Sequence, residues 1–202
     1  MKRLVTIFAA LAAFAVSPAL ADDAGFFFKP YVGADYQYTD VSYQDITGTA
    51  YSYGDGFANT FNGGDIHVGA RVSKYLGVEG GYYDNASSTK SNILGTTASS
   101  SVRFDGWTLD ALGYIPLGAS QKFELIGTTG LAYTTASGSA RINGTNYSIG
   151  SSSEWEWRIG AGAEYWLTDN INLRGLVRYQ TADFNGIVDN AVVSSIGVNY
   201  QF

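Results

Sequence analysis

Apolar and polar residues alternate with a period of two along most of this chain, the signature of strands whose two faces meet different surroundings. Eight segments carry the alternation, over about residues 28–40, 64–74, 77–84, 103–115, 122–135, 153–166, 171–181 and 191–202. No segment of comparable length shows the 3.6-residue apolar period of an amphipathic helix. The pattern predicts an all-β chain.

The two faces differ in charge as well as in hydropathy. On the first segment Val32, Ala34, Tyr36 and Tyr38 alternate with Gly33, Asp35 and Gln37; on the sixth, Trp155, Trp157, Ile159, Ala161, Ala163 and Tyr165 alternate with Glu156, Arg158, Gly160, Gly162 and Glu164. The second segment opposes Ile66, Val68 and Ala70 to His67, Gly69 and Arg71, and the seventh opposes Ile171, Leu173, Val177 and Tyr179 to Arg174 and Arg178. Charged side chains stay off the apolar face.

The connections alternate between short and long. Residues 74–77, 116–121 and 167–170 are brief turns, whereas 41–63, 85–102, 136–152 and 182–190 are longer and rich in Ser, Thr, Gly, Asn and Tyr. In the third long connection Asn143-Gly144 is a type I′ turn signal, so the flanking strands are expected to run on as a hairpin. Trimmed turns on one rim and elaborate loops on the other are the pattern of transmembrane barrels, and an even strand count returns both termini to the short-turn rim.

A soluble lipocalin-type barrel, apolar inside, would show the same alternation. Three features favour the apolar face pointing outward into lipid: the loop asymmetry, the absence of cysteine, and a final strand, residues 192–202, that ends the chain on Phe202. The expected fold is an eight-stranded antiparallel up-and-down transmembrane β-barrel over residues 28–202. Lipid offers an edge strand no backbone partner, so the sheet must close.

The first residues supply the address. Lys2 and Arg3 precede an apolar run from Leu4 to Val16, and Pro18-Ala19-Leu20-Ala21 provides a small-residue cleavage site ahead of Asp22 and Asp23. This predicts a cleaved signal peptide over 1–21, a short extension over 22–27, and delivery to the bacterial outer membrane with both termini in the periplasm. Losing the leader leaves 10 basic against 18 acidic residues, a net charge of −8. A nucleic-acid partner is excluded on that balance. Only 15% of residues are charged, below the roughly 25% of soluble domains, which suits a membrane sheet.

Tyr31-Val32-Gly33-Ala34-Asp35, Gly77-Val78-Glu79-Gly80-Gly81-Tyr82, Gly160-Ala161-Gly162-Ala163-Glu164-Tyr165 and Val177-Arg178-Tyr179-Gln180 resemble strand motifs of small eight-stranded outer-membrane barrels, the transmembrane domain of outer-membrane protein A and the opacity-type surface antigens. The resemblance covers about residues 28–202. It implies an interior blocked by paired acidic and basic side chains, with Glu79, Glu164 and Arg174 matching that network and Asp35 standing where a basic residue is usual. The sequence ends with its barrel, so the peptidoglycan-binding domain of the larger relatives is expected to be absent.

Candidate functional residues follow from sidedness. The expected lumen network is Asp35, Arg71, Glu79, Asp110, Glu124, Glu164, Arg174 and Arg178. Counting up from the short turns places Arg71, Glu79, Glu124, Glu164 and Arg174 at one depth, with Asp35, Asp110 and Arg178 nearer the middle. His67, the only histidine, is expected to hydrogen-bond inside rather than to catalyse. Tyr38, Tyr133, Trp155 and Trp157 near one rim, and Tyr75, Tyr165, Tyr200 and Phe202 near the other, are expected at the membrane interfaces. Tyr43, Tyr51, Tyr53, Phe57 and Phe61 are expected to make surface contacts from the first long loop. Asp40, Asp45, Asp55, Asp183 and Asp189 could meet divalent cations that bridge lipopolysaccharide phosphates.

No catalytic set, cofactor or metal site is legible. The expected partners are outer-membrane lipid and lipopolysaccharide, the barrel-assembly machinery through the C-terminal strand, and an extracellular ligand. The leading expectation is a non-enzymatic barrel that supports envelope integrity and presents surface loops for adhesion, host or ligand contact. The alternative is a narrow, porin-like conduit for small solutes or hydrophobic molecules, and a lipid-modifying enzyme comes third.

Overall fold

A computed structural model describes residues 26–45, 55–91, 98–118, 120–142, 145–182 and 187–202. The leader, its cleavage site, Tyr51, Tyr53 and Asp183 lie outside the described residues. No helix among the described residues is long and apolar enough to cross a membrane. The strands are β1 (Lys29–Tyr43), β2 (Thr60–Arg71), β3 (Leu76–Asn85), β4 (Ser88–Ser91), β5 (Ser99–Leu117), β6 (Phe123–Ile142), β7 (Thr145–Trp166), β8 (Ile171–Thr181) and β9 (Val188–Gln201).

Neighbours in sequence, β3 and β4 excepted, pair antiparallel, and two further ladders close the ring. β1 pairs with β9 from Tyr31↔Gln201 to Tyr43↔Val188, and β3 pairs with β5 from Leu76↔Gly113 to Asp84↔Asp105. β4 continues the line of β3 and pairs only with β5. The barrel wall therefore has eight strands, with β4 as a short addition on the long-loop side.

The sidedness is apolar-out. Ile196 is 65% exposed, and Ile66, Val78, Leu109, Ile115, Ile159 and Val177 also face outward, while Asp35, Glu79, Asp110, Glu164, Arg174 and Arg178 are buried. In a water-soluble barrel this arrangement would be inverted. Trp157 and Tyr165 bracket the outward apolar residues of β7. Eight residues of rise at about 3.3 Å, tilted about 40°, give a band roughly 20 Å tall, near the roughly 25 Å of outer-membrane barrels.

Several strands overrun their expected lengths at the long-loop rim, β6 and β7 the most. β5 begins at Ser99, and β6 and β7 stay paired up to Ile142↔Thr145. Above the band both faces meet the same polar surroundings, so Ser, Thr and Gly occupy both and the hydropathic contrast disappears. A bulge between Gly138 and Ser139, opposite Gly150, interrupts this hairpin. Gly150 has φ +98°, a conformation that side chains strongly disfavour.

Candidate functional site: a filled lumen beneath a projecting sheet

Barrel closure brings the inward charges together in two groups joined across the axis. Near the short-turn rim the Arg71 guanidinium donates to both Glu124 and Glu164. It also lies 3.8 Å from the centre of the Tyr114 ring, a cation–π contact between two buried side chains. Trp166 Nε1 donates to Glu124 at 3.3 Å. One arginine thus satisfies two carboxylates while aromatic rings cover its faces.

Deeper in, Arg174 forks between two strands. Its Nη2 donates to Asp35 Oδ2 at 2.8 Å and its Nη1 to Glu79. Tyr31 donates its hydroxyl to the same Glu79 oxygen at 2.8 Å. Arg158 pairs with Asp110 at 2.7 Å. Arg178, only 2% exposed, has its Nη2 3.6 Å from Glu79 and 4.0 Å from Asp110. Arg178 is thus held by charge between carboxylates that other arginines already engage.

The expected depth grouping is corrected here: Glu79 and Arg174 associate with Asp35 rather than with Arg71. Strands tilt and stagger in a closed barrel, so equal counts from the turns do not give equal positions across the lumen. His67 hydrogen-bonds inside as expected, and Asp65, Glu156 and Arg158, outside the expected network, are buried on the same inward face. Their inward parity was the available signal. His67 contacts Asp65 through Nδ1 and Asn199 through Nε2, both at 2.7 Å, and Arg174 Nη2 lies 3.0 Å from Nε2. A Cβ at Gly33 would overlap His67 and Asn199, so the glycine makes room for the ring.

Asp35, Asp65 and His67 come within metal-ligand distance of one another, their candidate atoms lying within 4.8 Å. This triad was not legible from sequence spacing. The donor set nevertheless does not fit a metal, because the Arg174 guanidinium already supplies the cation between Asp35 and His67. A second cation there would be repelled at short range.

The inward face also carries apolar residues that alternation did not reveal. Leu112, Tyr114, Ile126 and Leu176 cluster inside the band. Toward the long-loop rim Val41, Phe61, Tyr83, Phe104, Ala182, Val188 and Ala191 form an apolar cap, with Phe61 and Phe104 edge to face at 4.9 Å. Between cap and charges lies a cavity of about 30 Å³ bounded by Gln37, Thr39, Glu156, Arg158 and Gln180 below and by Val41, Phe104 and Val188 above. That volume is room for a water or two.

Phe61 corrects another expectation. It is 1% exposed and forms part of the cap rather than a surface contact, because β2 begins at Thr60 and turns the ring inward. Tyr43 and Phe57 are half-buried and stack with centroids 6.0 Å apart. Tyr43 donates its hydroxyl to the Ala58 carbonyl at 2.8 Å, and burial raises its pKa above the ordinary phenol value. Tyr43→Phe should cost about 0.5–1.5 kcal/mol locally, read as faster amide exchange around Ala58. Unchanged exchange would show that the loop does not depend on this bond.

The expected interface aromatics all lie on the outward face. Trp155 and Trp157 are 70% and 67% exposed, and Tyr38, Tyr75, Tyr133, Tyr165, Tyr200 and Phe202 are also exposed. Tyr133 and Trp155 pair at 5.1 Å, as do Tyr200 and Phe202 at 5.2 Å. Among the expected acidic loop residues, Asp40, Asp45, Asp55 and Asp189 are exposed.

A family model for the outer membrane protein beta-barrel domain matches residues 6–202. No curated protein matches the sequence. Among solved structures the fold is similar to a major outer membrane protein from Thermus thermophilus, at 18% identity and TM-score 0.60 over 87% of this chain and 99% of that one. It is similar to Ail, the attachment invasion locus protein of Yersinia pestis, solved in complex with the heparin analogue sucrose octasulfate, at 14% identity and TM-score 0.57 over 87% and 99%. Neisserial surface protein A follows at 17% identity and TM-score 0.54 over 86% and 97%. At these identities the structural likeness bears on fold, whereas the family match spans nearly the whole sequence. The chain therefore belongs to the outer membrane protein beta-barrel domain family.

Proposed function

We propose that this protein is a closed, non-catalytic outer-membrane barrel that reinforces the envelope and holds a projecting surface for contact with a ligand outside the cell. One contrast carries the reading: the lumen is packed with ion pairs and an apolar cap, while the β5–β6–β7 sheet extends past the aromatic band. Structure is thus invested above the membrane rather than in a passage. Ail, of similar fold, was solved with a sulfated sugar analogue, which supports a ligand-presenting use of such a small barrel.

On this reading the short-turn rim and both termini face the periplasm after removal of residues 1–21. The C-terminal strand ending at Phe202 serves as the handle for the barrel-assembly machinery. Trp155, Trp157 and Tyr133 meet lipopolysaccharide, and the exposed loop aspartates take part through bridging divalent cations.

Purified barrel in planar bilayers should give no stable, large conductance. Stable open channels, or solute uptake by proteoliposomes, would favour the conduit reading instead. A deletion strain should show raised detergent sensitivity or reduced attachment. Wild-type behaviour in both assays would overturn the proposal.

A further inference from the structure

The buried charges of the lumen do not balance. Among the described residues seven carboxylates are buried against four guanidinium groups and the His67 imidazole. Asp35 and Glu79 share Arg174, Glu124 and Glu164 share Arg71, Asp110 holds Arg158, and Asp65 faces His67. Glu156, 2% exposed, is the one buried carboxylate that makes no ion pair among the described residues. The rest of the chain does not supply the missing charge. After residue 25 the segments outside the described residues are 46–54, 92–97, 119, 143–144 and 183–186, and none contains Lys, Arg or His. Lys29, Lys74, Arg103, Lys122 and Arg141 are exposed, and Lys90 stands on β4, outside the eight-stranded wall.

Glu156 borders the cavity beneath the apolar cap, together with Gln37, Thr39, Asn85, Thr134 and Gln180. These neighbours offer amide and hydroxyl oxygens and carry no charge. Thr134 Oγ1 donates to Glu156 Oε2 at 2.6 Å, and Gln180 Nε2 donates to the same oxygen, which leaves Oε1 for a further partner. Asn85 is 2% exposed, and its Oδ1 meets no hydrogen-bond donor. Its Nδ2 is turned toward Thr39 Oγ1 at 3.4 Å. A Cβ at the inward-facing Gly63 would overlap Asn85 Oδ1, so the glycine keeps room for that oxygen inside the wall.

Arg158 also borders this cavity, but its charge is held by Asp110 at 2.7 Å. The contrast with Asp35, Asp65 and His67 is plain: there Arg174 already stands as the cation, whereas at Glu156 no guanidinium does. A buried carboxylate persists only when a positive charge or a full set of hydrogen bonds compensates it.

We propose that this cavity binds one monovalent inorganic cation of the sodium and potassium class, held by Glu156 Oε1 and Asn85 Oδ1, with oxygens of Thr39 and Gln37 completing its shell. One carboxylate among neutral oxygens matches a single positive charge. Divalent sites gather several carboxylates, and magnesium keeps waters for which a volume of about 30 Å³ has no room. The same volume suits an ion the size of a water and excludes an organic ammonium. The ion ties β7 to β1 and β3 beneath the cap and is retained there, which a closed lumen allows and a conducting one does not.

The test folds the full barrel into lipid nanodiscs at constant ionic strength, with N-methylglucamine, too large for the cavity, replaced in steps by sodium, potassium or rubidium. The temperature at which the folded gel mobility is lost should rise by several degrees between about 1 and about 300 mM of the small cation. Glu156→Gln keeps the shape and the bonds to Thr134 and Gln180, and should melt at or above wild type in N-methylglucamine while losing the response. Asn85→Ala should raise the concentration that gives half the effect by at least tenfold. Asp40→Asn, which removes an exposed carboxylate, should leave the response unchanged. Crystals of the wild-type barrel grown in rubidium should show an anomalous scattering peak beside Glu156, a readout that does not depend on any variant folding. No response to any of the three cations, an equal response in Glu156→Gln, or rubidium found only at other positions each overturns the proposal. Stability that rises with acidity and ignores the cation would place a proton on Glu156 instead, and would overturn it too.

Discussion

Replacing Arg174 with alanine is expected to lower the stability of the folded barrel by about 3–5 kcal/mol, because it strands Asp35 and Glu79 as buried charges without their shared cation. The guanidinium reaches both carboxylates through separate nitrogens and lies against His67, so its loss exposes three groups to one another at once. Arg174→Lys retains the charge but cannot form the fork, and should fall between alanine and wild type. Urea titration in lipid vesicles, followed by the gel-mobility difference between folded and unfolded barrel, measures all three. A loss below about 1 kcal/mol for alanine would mean that the lumen carboxylates rearrange freely, contrary to a packed interior.

Ala161→Arg tests the opposite face. Ala161 points outward on β7 midway between Trp157 and Tyr165, so an arginine there meets hydrocarbon near the middle of the bilayer. The expected cost is about 2–4 kcal/mol, with little packing lost because the side chain it replaces is small. The same substitution at Ser153, above the aromatic band, should change stability by less than about 0.5 kcal/mol. Equal effects at the two positions would contradict the assigned membrane span.

What the sequence made legible follows from which physical contrast each feature depends on. Strand existence and sidedness depend on lipid outside and polar pairing inside, and that contrast is written residue by residue in stretches such as Trp155 to Tyr165. Strand ends at the long-loop rim depend on no such contrast. Ser137, Ser139 and Ser151 read as loop because both faces there are wet, although they lie in the β6–β7 ladder. Phe61 was misplaced for the same reason, three residues below the expected start of its strand.

The lumen was legible in kind but not in partnership. Asp35, Glu79, Arg174 and Arg178 announce themselves by parity, yet the Arg174 fork joins β8 to β1 and β3 across the bore. That geometry is set by strand tilt and stagger, which no single segment encodes.

The central claim, an apolar face in lipid around a paired polar lumen, is tested most directly by single-cysteine scanning of residues 155–165 in lipid vesicles, made simple by a chain without native cysteine. With nitroxide labels, odd positions from Trp155 to Tyr165 should collide readily with oxygen and poorly with a water-soluble nickel chelate, while even positions should be shielded from both. A reversed alternation, or collision with the nickel chelate at the odd positions between Trp157 and Tyr165, would contradict it.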